Sequence, residues 1–356
     1  MPGRSAKYFP LLFAGIFIHF ISVAQPPGYY SSAGGLTGNS LQQALHDIID
    51  NHIVLDYSTL PGHFQSTDRK IDGKVWDMYS DIPGGTPFYT FDFNQDECGN
   101  YSQEGDCFNR EHSFPKSWFN DLSPMYTDLF HIYPADGWVN GKRANYPYGI
   151  TASPAWTSTN GSRLGPSSYT GYNGIVFEPI NSYKGDFART YFYMAVRYYG
   201  EDSGWTGSDM VTGSQPKEWA LKMLMEWDLA DPVSQKEKDR NEAVYLVQGN
   251  RNPFIDNPSY TNLIWGTQSR IDNSMYKKSV RIWPVPAKES VTIELPAEWQ
   301  TGCDIRVIDI SGREIHNITH AESPVRIYVT GFDAGYYILI LKSGREVITT
   351  KIVVLH

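Results

Sequence analysis

The sequence predicts an α+β chain in two folded parts: a helix- and loop-rich part carrying a few short strands, then a small all-β sandwich. Apolar residues recur at helical spacing in several segments before about residue 272. From residue 284 onward, short runs alternate apolar and polar residues and are punctuated by turn residues. The length of 356 residues exceeds one average domain, and an aromatic content of 14%, with 24 Tyr and 10 Trp, excludes a disordered polymer.

Taken in order, residues 1–24 read as a cleaved secretory signal. Arg4 and Lys7 precede an almost wholly apolar run over residues 8–23, and Ser22-Val23-Ala24 stands before Gln25. That run is shorter than the roughly 20 residues a spanning helix needs. No later segment is long and apolar enough, so no stable membrane insertion is expected. The first folded part is assigned to residues 25–272, a linker to 273–283 and the sandwich to 284–356.

Within the first part, Ser40 is expected to cap a helix that gathers Leu41, Ala44, Leu45, Ile48 and Ile49 on one face. Pro83-Gly84-Gly85-Thr86-Pro87 predicts a turn, and residues 88–93 a short aromatic strand. Cys98 and Cys107 flank a polar, turn-rich loop that a disulfide could close in an oxidising compartment; two unpaired thiols are the alternative. Cys303 is left over and is expected as a buried thiol.

Residues 129–133 read as a strand, Pro134 and Asp136 as a turn and an N-cap, and 137–143 as a short helix. Further helices are predicted over 187–198, 216–227 and 234–247. The last of these is expected to turn Lys236, Glu237, Lys238, Asp239 and Arg240 outward. The sandwich is built from strands over 290–295, 304–310, 325–329, 336–341 and 347–354.

The charge balance limits the choice of partners. The net charge is −9, and residues 25–279 hold 20 Lys and Arg against 30 Asp and Glu. A broad basic face for nucleic acid is therefore excluded. Any such contact must be local and metal-mediated, and sensitive to salt.

The chemistry concentrates in Asn109-Arg110-Glu111-His112-Ser113-Phe114-Pro115-Lys116. Glu111 offers a hard oxygen to a divalent cation, His112 a base that titrates near neutrality, and Arg110 and Lys116 charges for a phosphate. These are the parts a metal-assisted phosphodiesterase needs. Adjacency is an obstacle, because neighbours on a regular strand point to opposite faces, so a bulge or loop is needed to bring both to one phosphate.

A second segment, Asp128-Leu129-Phe130-His131-Ile132-Tyr133-Pro134-Ala135-Asp136-Gly137-Trp138-Val139-Asn140-Gly141-Lys142-Arg143-Ala144-Asn145, follows the first. Together they resemble the bacterial endonuclease I family, secreted or periplasmic nucleases with a His-Me finger, or ββα-metal, site. The likeness continues through Phe177-Glu178-Pro179, the Ala188-Arg189-Thr190 segment and Gln248-Gly249-Asn250-Arg251-Asn252-Pro253, and covers most of residues 38–268. The resemblance implies His112 as general base and Glu111 and Asn140 as protein ligands of one divalent cation. With two protein ligands, water-rich magnesium suits the site better than zinc, with manganese or calcium as alternatives.

The resemblance also implies Arg189 as a contact of the scissile phosphate, against a structural ion pair with Glu178 or Asp186. Arg143, Asn145 and Arg251 are further candidates for substrate contact or for bracing the fold. His131 is expected to be structural. The tail, with Trp283-Pro284-Val285-Pro286-Ala287, Ile310-Ser311-Gly312-Arg313 and Gly335-Tyr336-Tyr337, resembles the C-terminal sorting domains of type IX secretion, although Val285 departs from the usual opening. That implies engagement of the secretion machinery and a secreted or cell-surface product.

The expected function is a secreted, metal-dependent, non-specific endonuclease acting on DNA, RNA or both and leaving 5′-phosphates. The competing class is a secreted, aromatic-rich carbohydrate-binding or adhesin module without catalysis, since Tyr and Trp platforms also stack sugars.

Overall fold

The computed structural model describes residues 25–266, 280–295, 299, 302–309, 313–344 and 346–355. The expected signal, most of the expected linker and Ile310-Ser311-Gly312 lie outside these. The chain divides into two compact units, 1–269 and 270–356. No described helix is long and apolar enough to cross a membrane.

The first unit opens with helix α1 (Gly38–Ile49) and helix α2 (Leu60–Thr67). The N-cap of α1 is Thr37 rather than Ser40, and Leu41, Leu45 and Ile49 form its buried stripe. The aromatic run 88–93 forms no strand. Alternation alone does not make one where no partner backbone completes the ladder.

Strand β1 (Phe108–His112) pairs antiparallel with strand β2 (Ile132–Asp136) and leads into helix α3 (Gly137–Arg143). The bounds of α3 are those expected, and Asp136 caps it by accepting a hydrogen bond from the Val139 amide at 2.8 Å. Strand β2 begins three residues later than predicted. Residues 129–131 form a buried turn instead, with the Phe130 amide on the Asp128 carboxylate (3.1 Å) and the Leu129 amide on Gln248 (2.6 Å). Pro134 belongs to the strand, opposite Arg110.

A three-stranded antiparallel sheet follows, from β3 (Trp156–Thr157), β4 (Arg163–Pro166) and β5 (Ile175–Glu178) in that order. Helix α4 (Lys184–Arg197) is buried along nearly its whole length and forms the spine of the unit. A small ribbon of β6 (Val211–Thr212) and β7 (Gln215–Pro216) precedes α5 (Glu218–Ala230), α6 (Gln235–Gln248), α7 (Pro253–Asp256) and α8 (Ser259–Trp265). Ser234 and Glu237 close a capping box on α6.

Two α6 charges expected outward are buried. Glu237 holds Arg189, and Arg240 holds Asp68 at 2.8 Å together with the Leu129 and Ile132 carbonyls. Lys236 pairs with Asp186 at 2.5 Å. Their partners lie far away in sequence, so local periodicity carries no sign of them.

The second unit contains β8 (Arg281–Trp283), β9 (Ser290–Glu294), β10 (Cys303–Asp309), β11 (Glu314–Ala321), β12 (Val325–Tyr328), β13 (Gly335–Ser343) and β14 (Glu346–Val354). They form a three-stranded sheet ordered β12-β9-β8 and a four-stranded sheet ordered β11-β10-β13-β14. Alternating Val, Ile and Leu from both sheets make the core, which includes the unpaired thiol of Cys303. Strands β8 and β11 are absent from the prediction.

Candidate active site

The strand–strand–helix unit brings the sequence candidates to one region and sorts them onto two faces. The β1–β2 register is unbroken, with Glu111 opposite Tyr133 and His112 opposite Ile132, so no bulge re-aims either side chain. Strand alternation therefore holds. Asn109 and Glu111 meet α3 and Tyr79; Arg110 and His112 turn towards Tyr57 and Tyr126.

On the α3 face, Glu111 is buried, and its Oε1 accepts hydrogen bonds from Tyr79 Oη (2.7 Å) and Arg143 Nη1 (3.0 Å). Burial pushes its carboxyl up, against the opposing pull of Arg143 and Tyr79. Asn140 donates from Nδ2 to Asn109 Oδ1 at 2.7 Å and, more weakly, to the Arg110 carbonyl at 3.4 Å. That spends the amide hydrogens on protein acceptors and leaves Oδ1 as the acceptor end.

On the other face, His112 is buried among Tyr57, Phe119, Tyr126 and His131, with Tyr126 ring-to-ring at 5.3 Å. Its Nε2 lies 3.1 Å from the Tyr126 carbonyl. A carbonyl only accepts, so Nε2 carries the hydrogen and Nδ1 the lone pair. Desolvation first, then the neighbouring His131, push the imidazole down to about 3, so the ring is neutral at neutral pH. His131 is fully buried, with Nε2 2.6 Å from the Met125 carbonyl, just before β2.

Several candidate cations are committed to the protein itself. Arg143 is fully buried and donates to Glu111, to the His112 carbonyl (2.8 Å) and to the Ser113 carbonyl (2.5 Å), with its guanidinium 4.7 Å from the Tyr148 ring centroid. Its bonded donors are turned onto β1 and the residue that follows it. Arg189 is likewise buried, held by both Glu237 oxygens (2.6 and 2.9 Å) and by Asp228 (2.8 Å). Here it is a structural ion pair, with partners other than the Glu178 or Asp186 considered from sequence. Arg251 is buried against Asp256 and Glu242.

The accessible cations are Arg110, half-buried over Tyr57 and paired with Glu97 at 3.2 Å, and Lys116, exposed and paired with Asp121 at 2.7 Å. Asn145 is exposed just beyond α3.

The chemistry of the donor set fits a divalent cation. Glu111 has a second carboxylate oxygen beyond its bonded Oε1, and Asn140 keeps its amide oxygen, both hard ligands. Among the described residues, His46, Asp50 and Glu201 form another cluster that could hold a metal ion, with donor atoms within 4.8 Å of one another. Arg197 already pairs with both of its carboxylates, at 2.9 and 3.0 Å.

Tyr79, Asn109, Tyr126 and Tyr148 support the site and were missed in the sequence. Asn109 could have been found by parity, since it shares a strand face with Glu111. Tyr79 and Tyr148 carry no local signal. The disulfide Cys98–Cys107 is formed and closes the loop leading into β1.

The comparisons with known proteins bear on both units. Residues 37–259 match the Endonuclease I family model, and residues 281–355 match the secretion system C-terminal sorting domain. The chain is 34% identical over 244 residues to an extracellular ribonuclease of Bacillus subtilis (strain 168), spanning 67% of this chain and 78% of that protein. A counterpart from Bacillus amyloliquefaciens is 35% identical over the same shares. A periplasmic deoxyribonuclease of Aeromonas hydrophila is 29% identical over 143 residues, 38% of this chain and 50% of that one. The chain belongs to the Endonuclease I family, with a secretion sorting domain behind a nuclease unit that cleaves phosphodiester bonds.

Proposed function

We propose that this protein is a secreted, divalent-metal-dependent, non-specific endonuclease with a His-Me finger site, leaving 5′-phosphate ends on DNA, RNA or both. The observation that carries the reading is that Asn140 spends its Nδ2 on Asn109, on the strand face that also carries Glu111, which leaves an amide oxygen and a carboxylate oxygen as hard ligands on that face. When bound, that cation would neutralise charge developing on the phosphate and the departing oxygen. Magnesium, manganese or calcium each suits such a ligand pair.

In this reading His112 is the base; because it lies on the opposite face of β1 from Glu111, the scissile phosphate would sit at the end of the strand, where the two faces meet. The Tyr126 carbonyl holds its tautomer and keeps Nδ1 ready to accept a proton from water. Arg143 and Tyr79 hold the Glu111 carboxylate, and Arg110 and Lys116 meet the nucleic-acid backbone. The acidic balance makes substrate capture local. The signal over residues 1–24 and the sorting domain serve export to the medium or cell surface.

The test is incubation of plasmid DNA and of structured RNA with the protein and Mg2+, with and without chelator, alongside Glu111→Ala. Cleavage that survives chelation, or that Glu111→Ala leaves intact, refutes the metal reading. Absence of cleavage on both polymers favours the binding-module class.

A further inference from the structure

We propose that Tyr101 is a positioning residue for the metal ligand Asn140, acting by clamping helix α3 from the disulfide-closed loop. The inference rests on the metal-site reading and adds a residue that reading does not contain.

Helix α3 has only seven residues, and two of them are glycines, each costing about 1 kcal/mol relative to alanine in a helix. So short a helix does not fix its own rotation; its docking does. Gly137 and Gly141 are four apart and share one face. A methyl group at Gly137 would stand 2.5 Å from Tyr101 Cδ1, and one at Gly141 would stand 3.0 Å from Tyr101 Oη and 3.3 Å from Cε2. One ring therefore lies along both glycines: a side chain at Gly137 would force it to shift, and one at Gly141 would press it back by a few tenths of an ångström.

The loop that carries Tyr101 is tied to α3 and its cap at two further points. It is closed by Cys98–Cys107. Its Gly105 amide donates to Asp136 Oδ2 (2.7 Å), and its Cys107 carbonyl accepts from the Gly137 amide (2.9 Å). Asp136 Oδ1 in turn caps the helix at Val139. These polar contacts hold the first turn. Of the contacts from this loop, Tyr101 is the one that reaches the second turn, where Asn140 sits beside Gly141; it presses on the face lined by the glycines, while Arg143 anchors the end of the helix to β1. Rotation of α3 about its axis would swing the Asn140 amide away from Asn109 and move Oδ1 relative to Glu111. The glycine after Asn140 is thus explained by the ring it must admit.

The test measures Mn2+ binding to the full-length chain by electron paramagnetic resonance, taking the component lost in Glu111→Ala as the site. Tyr101→Ala and Gly141→Ala should each weaken that component by about tenfold, the lower end for loss of a supporting contact around a metal ligand. The Mg2+ concentration for half-maximal cleavage should rise in parallel, with a smaller effect at saturating metal. Tyr101→Phe keeps the ring and should restore wild-type binding.

Wild-type Mn2+ affinity in Tyr101→Ala overturns the proposal. If that variant fails to fold, Gly141→Ala decides: helix propensity alone would favour it, so unchanged affinity there overturns the proposal too. If no Mn2+ component of the wild type is lost in Glu111→Ala, the metal reading itself falls and takes this inference with it.

Discussion

Replacing Arg143 with methionine should destabilise the nuclease unit severely, and the size of the effect separates a brace from a substrate contact. The side chain is fully buried and donates to Glu111, to the His112 carbonyl and to the Ser113 carbonyl. Breaking a buried ion pair from one side costs about 3–5 kcal/mol. The His112 carbonyl, left without this donor, adds about 1–3 kcal/mol, less whatever relaxation recovers, whereas the Ser113 carbonyl keeps the Tyr191 hydroxyl at 3.0 Å. The sum is on the order of 5 kcal/mol, against a total of about 5–15 kcal/mol for a typical domain. Urea unfolding followed by tryptophan fluorescence measures it. The double variant Glu111→Gln/Arg143→Met should be more stable than additivity predicts by about 2 kcal/mol, because the uncompensated carboxylate is gone. A loss below about 1 kcal/mol for Arg143→Met, or strict additivity, would refute the bracing role.

His112→Ala should lower plasmid cleavage by about 10²- to 10⁴-fold while leaving Mn2+ binding intact; wild-type cleavage would remove the imidazole from the mechanism. Lys116→Ala should raise KM on all sequences alike and reduce the salt slope of binding by about one, whereas an unchanged slope would confine Lys116 to its pair with Asp121. Asp128 supplies a pH prediction. Burial alone would raise its carboxyl, but His52, His131 and hydrogen bonds from Gln248 and Tyr198 outweigh it and hold the group at about 2. A depressed carboxyl stabilises the fold above its unfolded value and loses that contribution as pH falls from about 4 towards 2. Asp128→Asn should thus cost about 2 kcal/mol at pH 7, with the gap to wild type closing over that window. A gap independent of pH in urea titrations would refute the charge-based account.

Local chemistry was legible and remote pairing was not. The cap at Asp136 and the extent of α3 follow from neighbouring residues alone, and the structure repeats them. The start of β2 was misplaced because residues 129–131 are as buried as a strand, although their amides go to Asp128 and Gln248 side chains rather than to a ladder. Glu111 was legible from its chemistry and Asn140 through the resemblance, and strand parity explains why Asn109 shares a face with Glu111 while His112 lies on the other. Arg189 was expected at the phosphate and Arg240 outward, and the ion pairs that hold both were invisible for one shared reason. Their carboxylates lie 48 and 172 residues away, and a buried charge looks the same in sequence as an exposed one until its partner is known.

The buried arginines have a consequence for how long polymers are processed. Arg143, Arg189, Arg240 and Arg251 all neutralise carboxylates inside the protein, in a chain whose net charge is −9. Little positive potential remains to keep a cut strand on the surface or to let the protein slide along it. Digestion should be distributive: each encounter yields one break and release, and fragment lengths shorten gradually across the whole population.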